Sequence, residues 1–82
     1  MTAEYADEVG KAWVGPNARP IVKNGQVIGY ISQDGTKVYR FPALKHSGIA
    51  KGRVQANLEE FCINEQGQRV KIRNGHIDIE NP

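Results

Sequence analysis

The chain has few of the residues that cross-link or anchor a small domain. It contains a single cysteine, Cys62, so no disulfide can form within it and its stability must come from packing. Two histidines and one cysteine argue against a clustered Cys and His metal site, and we expect neither a metal nor another cofactor. No apolar run reaches the length of a membrane span, and the N-terminus lacks a signal-peptide pattern.

The net charge of the chain is small, but its charged residues are unevenly distributed. The net charge of the 82 residues is +2, from 11 basic and 9 acidic side chains. Glu4, Asp7 and Glu8 lie within the first eight residues, whereas residues 45–53 contain Lys45, Lys51, Arg53 and His46 but no acid. This basic middle segment is suited to an anionic partner. A chain of this length predicts one domain, residues 1–82, of modest stability.

The hydrophobic pattern changes from helical to strand-like near Pro20. Apolar residues recur at helical spacing over residues 3–14, after a potential N-cap at Thr2, in a lead-in of residues 1–19. Residues 20–82 alternate between short apolar runs and turn pairs at Asn24-Gly25, Asp34-Gly35 and Asn74-Gly75. The sequence therefore predicts an α+β domain, in which an N-terminal helix packs on a twisted antiparallel sheet of about five strands.

The C-terminal segment is expected to form a hairpin around Asn74-Gly75. That register would place Arg73 opposite His76 and would put Val70, Ile72, Ile77 and Ile79 in the core. Residues 43–52 are expected to form a loop, and a β-bulge is expected near Glu59-Glu60, where the apolar alternation of residues 53–63 breaks. Cys62 is expected to be a small buried residue.

The polar face of this hairpin is a candidate catalytic surface if it lies beside the strand that contains Arg53, Asn57 and Glu59. RNA cleavage without a metal needs a base, an acid and fixed cations. We predict Glu59, or Glu60, as the base and His76 as the acid, with a phosphate clamp formed by Arg53, Lys71 and Arg73. The alternative is a solvated surface with charges paired across strands. Hydrolysis of DNA or nucleotides by a metal held at Glu59, Glu60 and Asp78 is a further reading.

The basic loop is the second candidate site, because a long loop in a small domain often has a function. Lys45, His46 and Lys51 would contact phosphate, and Tyr39 with Phe41 would stack an unpaired base. The alternative places both aromatic rings in the core. In functional terms, the alternative to an enzyme is a non-catalytic β module that binds nucleic acid or protein through residues 43–53.

Three stretches, GYISQDGTKVYRFP, GRVQANLEEF and NGHIDI, resemble the C-terminal toxin domains of bacterial polymorphic toxins, including contact-dependent growth inhibition effectors. The resemblance covers roughly residues 20–80, and the matching segments contain Tyr39, Arg40, Gln55, Asn57, Glu59 and His76. It implies a metal-independent endoribonuclease, often acting on transfer RNA, with the helix-on-sheet architecture of barnase, colicin nuclease and EndoU-like domains. It also implies delivery from the cell surface or by secretion within a larger effector, action in the target-cell cytoplasm, and a cognate immunity protein.

Overall fold

The computed structural model describes residues 1–49 and 51–80, which form one helix and a five-stranded antiparallel sheet. The strands follow one another in the sheet in the order of the chain, β1-β2-β3-β4-β5. This arrangement confirms the predicted α+β class. The elements in chain order are α1 (Ala3–Val14), β1 (Arg19–Lys23), β2 (Gln26–Ile31), β3 (Lys37–Leu44), β4 (Val54–Ile63) and β5 (Arg69–Asp78).

Helix α1 forms where the sequence predicted it, because both of its ends are capped. The Thr2 side chain accepts a hydrogen bond from the Tyr5 amide at 3.1 Å, and Gly15 ends the helix with a φ of 76°. The buried residues of the helix recur every four positions, at Ala6, Gly10 and Val14. This stripe faces the sheet and packs mainly on β3.

Tyr39 of β3 lies at the centre of the core beneath this stripe. Its side chain is fully buried, and its ring contacts that of Phe41 edge to face at a centroid distance of 5.7 Å. Its hydroxyl donates to Asp7 Oδ1 at 3.3 Å, and burial, together with the nearby Asp7 carboxylate, raises the pKa of Tyr39 to about 12. The predicted stacking of a base on Tyr39 is therefore wrong, because the ring has no exposed surface, and the alternative that places this ring in the core is correct.

The first two predicted turns are confirmed. Asn24 and Gly25 have φ values of 52° and 78°, as a two-residue type I′ hairpin requires, and connect β1 with β2. At the next turn the Asp34 carboxylate accepts hydrogen bonds from the Thr36 amide at 3.0 Å and from the hydroxyls of Ser32 and Thr36, each at 2.7 Å. These bonds, led by that of the Thr36 amide, lower the pKa of Asp34 to about 2.

The third predicted hairpin is wrong. Asn74 and Gly75 lie in the middle of β5, where they pair with Glu59 and Leu58 of β4. The chain instead reverses at residues 64–68, where the Asn64 side chain accepts hydrogen bonds from the amides of two following residues, at 3.0 and 2.8 Å. In a hairpin, only one of the two short strands could pair with the ten-residue β4. A continuous β5 instead satisfies the backbone groups along β4.

This continuous strand changes which residues are buried. Ile79 is buried, but Val70 and Ile72 are 42% and 52% exposed, so their predicted core positions are wrong. The register shifts between Glu60 and Phe61, as predicted near this point, but the extra residue, Ile72, belongs to β5. Cys62 is exposed rather than buried.

The predicted loop is shorter than expected. Strand β3 continues past Pro42 to Leu44, with its own register shift between Arg40 and Ala43. The connection to β4 spans residues 45–53 and is closed at its base, where the Lys45 amide donates to the Arg53 carbonyl at 2.9 Å. The segment that contains the basic residues is therefore a closed loop directly beside the end of β4.

Candidate functional site

The face of the sheet opposite to α1 collects the polar side chains. Tyr39, Ala56 and Ile79 pack in the same core cluster as the helix, so alternation along each strand turns the neighbouring residues to the other face. Strands β4 and β5 are neighbours, and their paired residues share a face. This polar face comprises Arg40 of β3, Gln55, Asn57 and Glu59 of β4, and Lys71, His76 and Asp78 of β5.

Glu59 is the most buried charge on the polar face, with 3% of its surface exposed. Arg40 Nε donates to its Oε1 at 2.6 Å, and Lys71 Nζ contacts its Oε2. The Glu59 backbone carbonyl also accepts a hydrogen bond from the Trp13 indole at 3.2 Å. Burial opposes ionisation of Glu59, but the bonds from Lys71 and Arg40 outweigh it and hold the pKa of Glu59 below its usual value.

This environment does not suit the predicted role of Glu59 as a general base. A base is most effective when its pKa lies near the working pH, whereas the paired cations lower the proton affinity of this carboxylate. Glu59 instead holds Arg40 and Lys71 in fixed positions on the polar face. Glu60, the other predicted base, points to the opposite face and lies 3.4 Å from Arg73 Nε.

Arg73 was expected on the same face as His76, and this prediction is wrong. The bulge at Ile72 adds one residue to β5 between Lys71 and Arg73. Because side chains alternate along the continuous β5, Arg73, three residues from His76, points to the helix side, and the extra residue Ile72 returns Lys71 to the polar face. Arg73 is therefore not part of a phosphate clamp with Arg53.

His76 lies in a groove of ≈ 450 Å³ between β4, β5 and the loop of residues 45–53. We call this space the histidine groove. His76 is exposed and is the cross-strand partner of Asn57. The groove is lined by His76 together with Lys45, Ser47, Gly48, Ile49, Arg53 and Gln55.

Hydrogen bonds within the polar face position the groove lining. Gln55 Nε2 donates to Asp78 Oδ1 at 2.6 Å, and Arg53 Nη1 lies 3.7 Å from Asp78 Oδ2. Lys45 Nζ donates to Asn57 Oδ1 at 2.9 Å. Two cations and an imidazole therefore border one concave surface, and among the described residues no carboxylate lines it.

The remaining predicted residues lie outside this groove. His46 and Lys51 are exposed in the loop of residues 45–53 and are not part of the groove lining. The sequence did not predict that Ser47 and Ile49 line the histidine groove, because nothing in it shows how the loop is placed beside β4. Phe61 was also missed: it shares the face of Glu59, and Arg69 lies 4.2 Å above its ring.

Comparisons of the chain with family models, with curated proteins and with solved structures found no match. Within residues 1–49 and 51–80, no three His, Cys, Asp or Glu side chains are grouped as a metal site would need. The same residues contain no helix long and apolar enough to cross a membrane.

Proposed function

We propose that the chain is the toxin domain of a larger antibacterial effector and acts as a metal-independent endoribonuclease on transfer RNA. The observation that supports this most directly is the placement of His76 in one groove with Lys45 and Arg53. The three sequence segments that resemble polymorphic toxin domains support the toxin class and the choice of transfer RNA.

The groove contains groups for cleavage at a ribose 2′-hydroxyl. Imidazole is the side chain best suited to proton transfer near neutral pH. His76 takes the 2′-hydroxyl proton, and the 2′-oxygen forms a bond to phosphorus as the bond from phosphorus to the 5′-oxygen breaks. Water protonates the leaving 5′-oxygen and takes the proton of His76 in return, and the products are a 2′,3′-cyclic phosphate and a 5′-hydroxyl. Lys45 and Arg53 stabilise the negative charge that develops on the phosphorane.

This scheme revises the roles expected from the sequence. His76 acts as the base because the Glu59 oxygens are engaged by Arg40 and Lys71. Glu59 acts as a positioning residue for these two cations, which extend the positive surface from the histidine groove along β3 and β5.

The test is incubation of the purified chain with total transfer RNA, with and without a chelator, for the wild type, His76→Ala and His46→Ala. We expect cleavage with and without chelator, products that end in a cyclic phosphate, and a rate about 10²- to 10⁴-fold lower for His76→Ala. His46→Ala is the matched control, because His46 is exposed and lies outside the groove, and its rate should stay within about twofold of the wild type.

Circular dichroism of each variant separates loss of activity from loss of folding. Intact RNA with folded wild-type protein, or full activity of folded His76→Ala, would contradict the proposal. Salt-sensitive RNA binding without any product would favour the non-catalytic β module instead.

The same groove predicts the chemistry of an immunity protein. A partner that blocks the site must cover Lys45 and Arg53, and an acidic surface would complement these cations and speed its association. In this proposal the domain is delivered as part of a secreted or cell-surface effector and acts in the target-cell cytoplasm.

A further inference from the structure

A second groove of ≈ 410 Å³ adjoins the histidine groove and is bordered by Arg40 and Asn57 of the polar face. The two share Lys45, which lines both. Ile28, Phe41 and Pro42 form an apolar wall of the second groove, and Arg40 and Asn57 contribute polar groups. We call it the apolar groove, and its size and its mixture of apolar walls with a few polar groups are typical of small-ligand sites.

The polar groups of the apolar groove are donors. Lysine has no acceptor, so the Asn57 amide must turn its oxygen toward Lys45 Nζ, at 2.9 Å, which leaves the Asn57 Nδ2 hydrogens for a ligand. Arg40 is anchored to Glu59 through Nε, so its two terminal nitrogens remain as donors. Among the described residues no Asp or Glu lines the apolar groove.

We propose that the apolar groove binds the base of a nucleotide and that it prefers guanine. An apolar wall suits the face of a base, and Phe41 of this wall is aromatic. Guanine presents two adjacent acceptors, O6 and N7, to the Asn57 and Arg40 donors, whereas adenine presents one acceptor beside an amino group. The inference of a guanine site rests on the proposed function in one respect: the shared Lys45 places the base next to the phosphate that is cleaved.

The test uses NMR of the backbone and side-chain amides to measure the binding of guanosine and adenosine 5′-monophosphates. We expect guanosine monophosphate to bind about fivefold or more tightly, with shifts at Ile28, Phe41 and the Asn57 side chain. Asn57→Asp replaces the free donor by an acceptor and should abolish the preference for guanine. Asn17→Asp adds the same charge at an exposed turn residue outside both grooves, and should leave the preference unchanged.

Nucleotide binding is measured without cleavage, so this inference and the ribonuclease proposal fail separately. Equal affinity for the two nucleotides, shifts confined to residues outside the apolar groove, or an unchanged preference in folded Asn57→Asp would overturn the inference. Binding of an acidic peptide at these residues, where neither nucleotide binds, would overturn it as well. A guanine preference in a protein that leaves RNA intact would support the inference and contradict the proposed cleavage.

Discussion

Replacing Gly10 by alanine tests the contact that joins the helix to the sheet. An added Cβ at Gly10 would lie 2.3 Å from Cγ and from Cδ2 of the Tyr39 ring. Carbon atoms pack favourably at about 3.5 to 4.0 Å, so the helix or the ring must move by more than about 1 Å. Tyr39 has little room to move, because its side chain is fully buried and contacts both Phe41 and Asp7.

Two opposing terms decide the sign of the effect on the free energy of unfolding. Alanine is favoured over glycine within a helix by about 1 kcal/mol, which would stabilise Gly10→Ala. Overpacking a core costs about 1 to 3 kcal/mol and sometimes more, and the cost here should be large because the overlap with Tyr39 involves three ring atoms within 2.4 Å. We expect net destabilisation of about 2 kcal/mol, which lowers the melting temperature of a domain of this size by roughly 8 to 16 °C.

Thermal and urea unfolding of Gly10→Ala would measure this loss. Ala12→Gly is the matched control, since Ala12 is an exposed position of the same helix and should report only the intrinsic preference, a loss of about 1 kcal/mol. The double variant Gly10→Ala with Tyr39→Leu should be less destabilised than the two single effects predict, because the ring is gone. A Gly10→Ala protein as stable as the wild type, or more stable, would refute the packing argument.

Two further predictions concern the titration of carboxylates. The pKa of Glu59 is lowered in the folded state, so its charge stabilises the fold above its usual pKa, and this contribution is lost as the pH falls through the folded-state value. Urea unfolding should therefore show Glu59→Gln to be less stable than the wild type at pH 7, by a margin that shrinks in acid; a constant margin would contradict this. NMR should find the pKa of Asp34 at about 2, and Thr36→Ala should raise it only partly, because the Thr36 backbone amide remains as a donor; an ordinary value in the wild type would be the contrary result.

The two Asn-Gly pairs show how far local sequence determines this fold. Both are flanked by alternating apolar residues, yet only Asn24-Gly25 forms a turn, whereas Asn74-Gly75 lies within β5. A turn signal describes what a segment favours by itself. It does not include the competing gain from pairing with a long neighbouring strand, and ten-residue β4 supplies that gain here.

The polar face was predictable only in part, because alternation along one strand is local whereas the pairing between strands is not. Alternation along β4 correctly put Asn57 and Glu59 on one side, and the condition on which the site depended, that β4 lies beside the C-terminal strand, is met. The face of Arg73 was predicted wrongly because the hairpin at Asn74-Gly75 does not form, and in the continuous β5 Arg73 lies three residues from His76. The pairing of Glu59 with Arg40 depends on the register between β3 and β4, which no local pattern specifies.

Each outer strand contains a feature that interrupts regular pairing. In β1 this is Pro20, and the register with β2 shifts nearby, with Ile28 of β2 as the extra residue. In β5 it is the extra residue Ile72, which lies between two cations. Proline, bulges and charged side chains at an outer strand each hinder the docking of another strand along it. Outer strands that expose Val22 and Ile72 would otherwise pair with strands of other copies and form fibrils. These local irregularities therefore protect a chain with a small core against self-association.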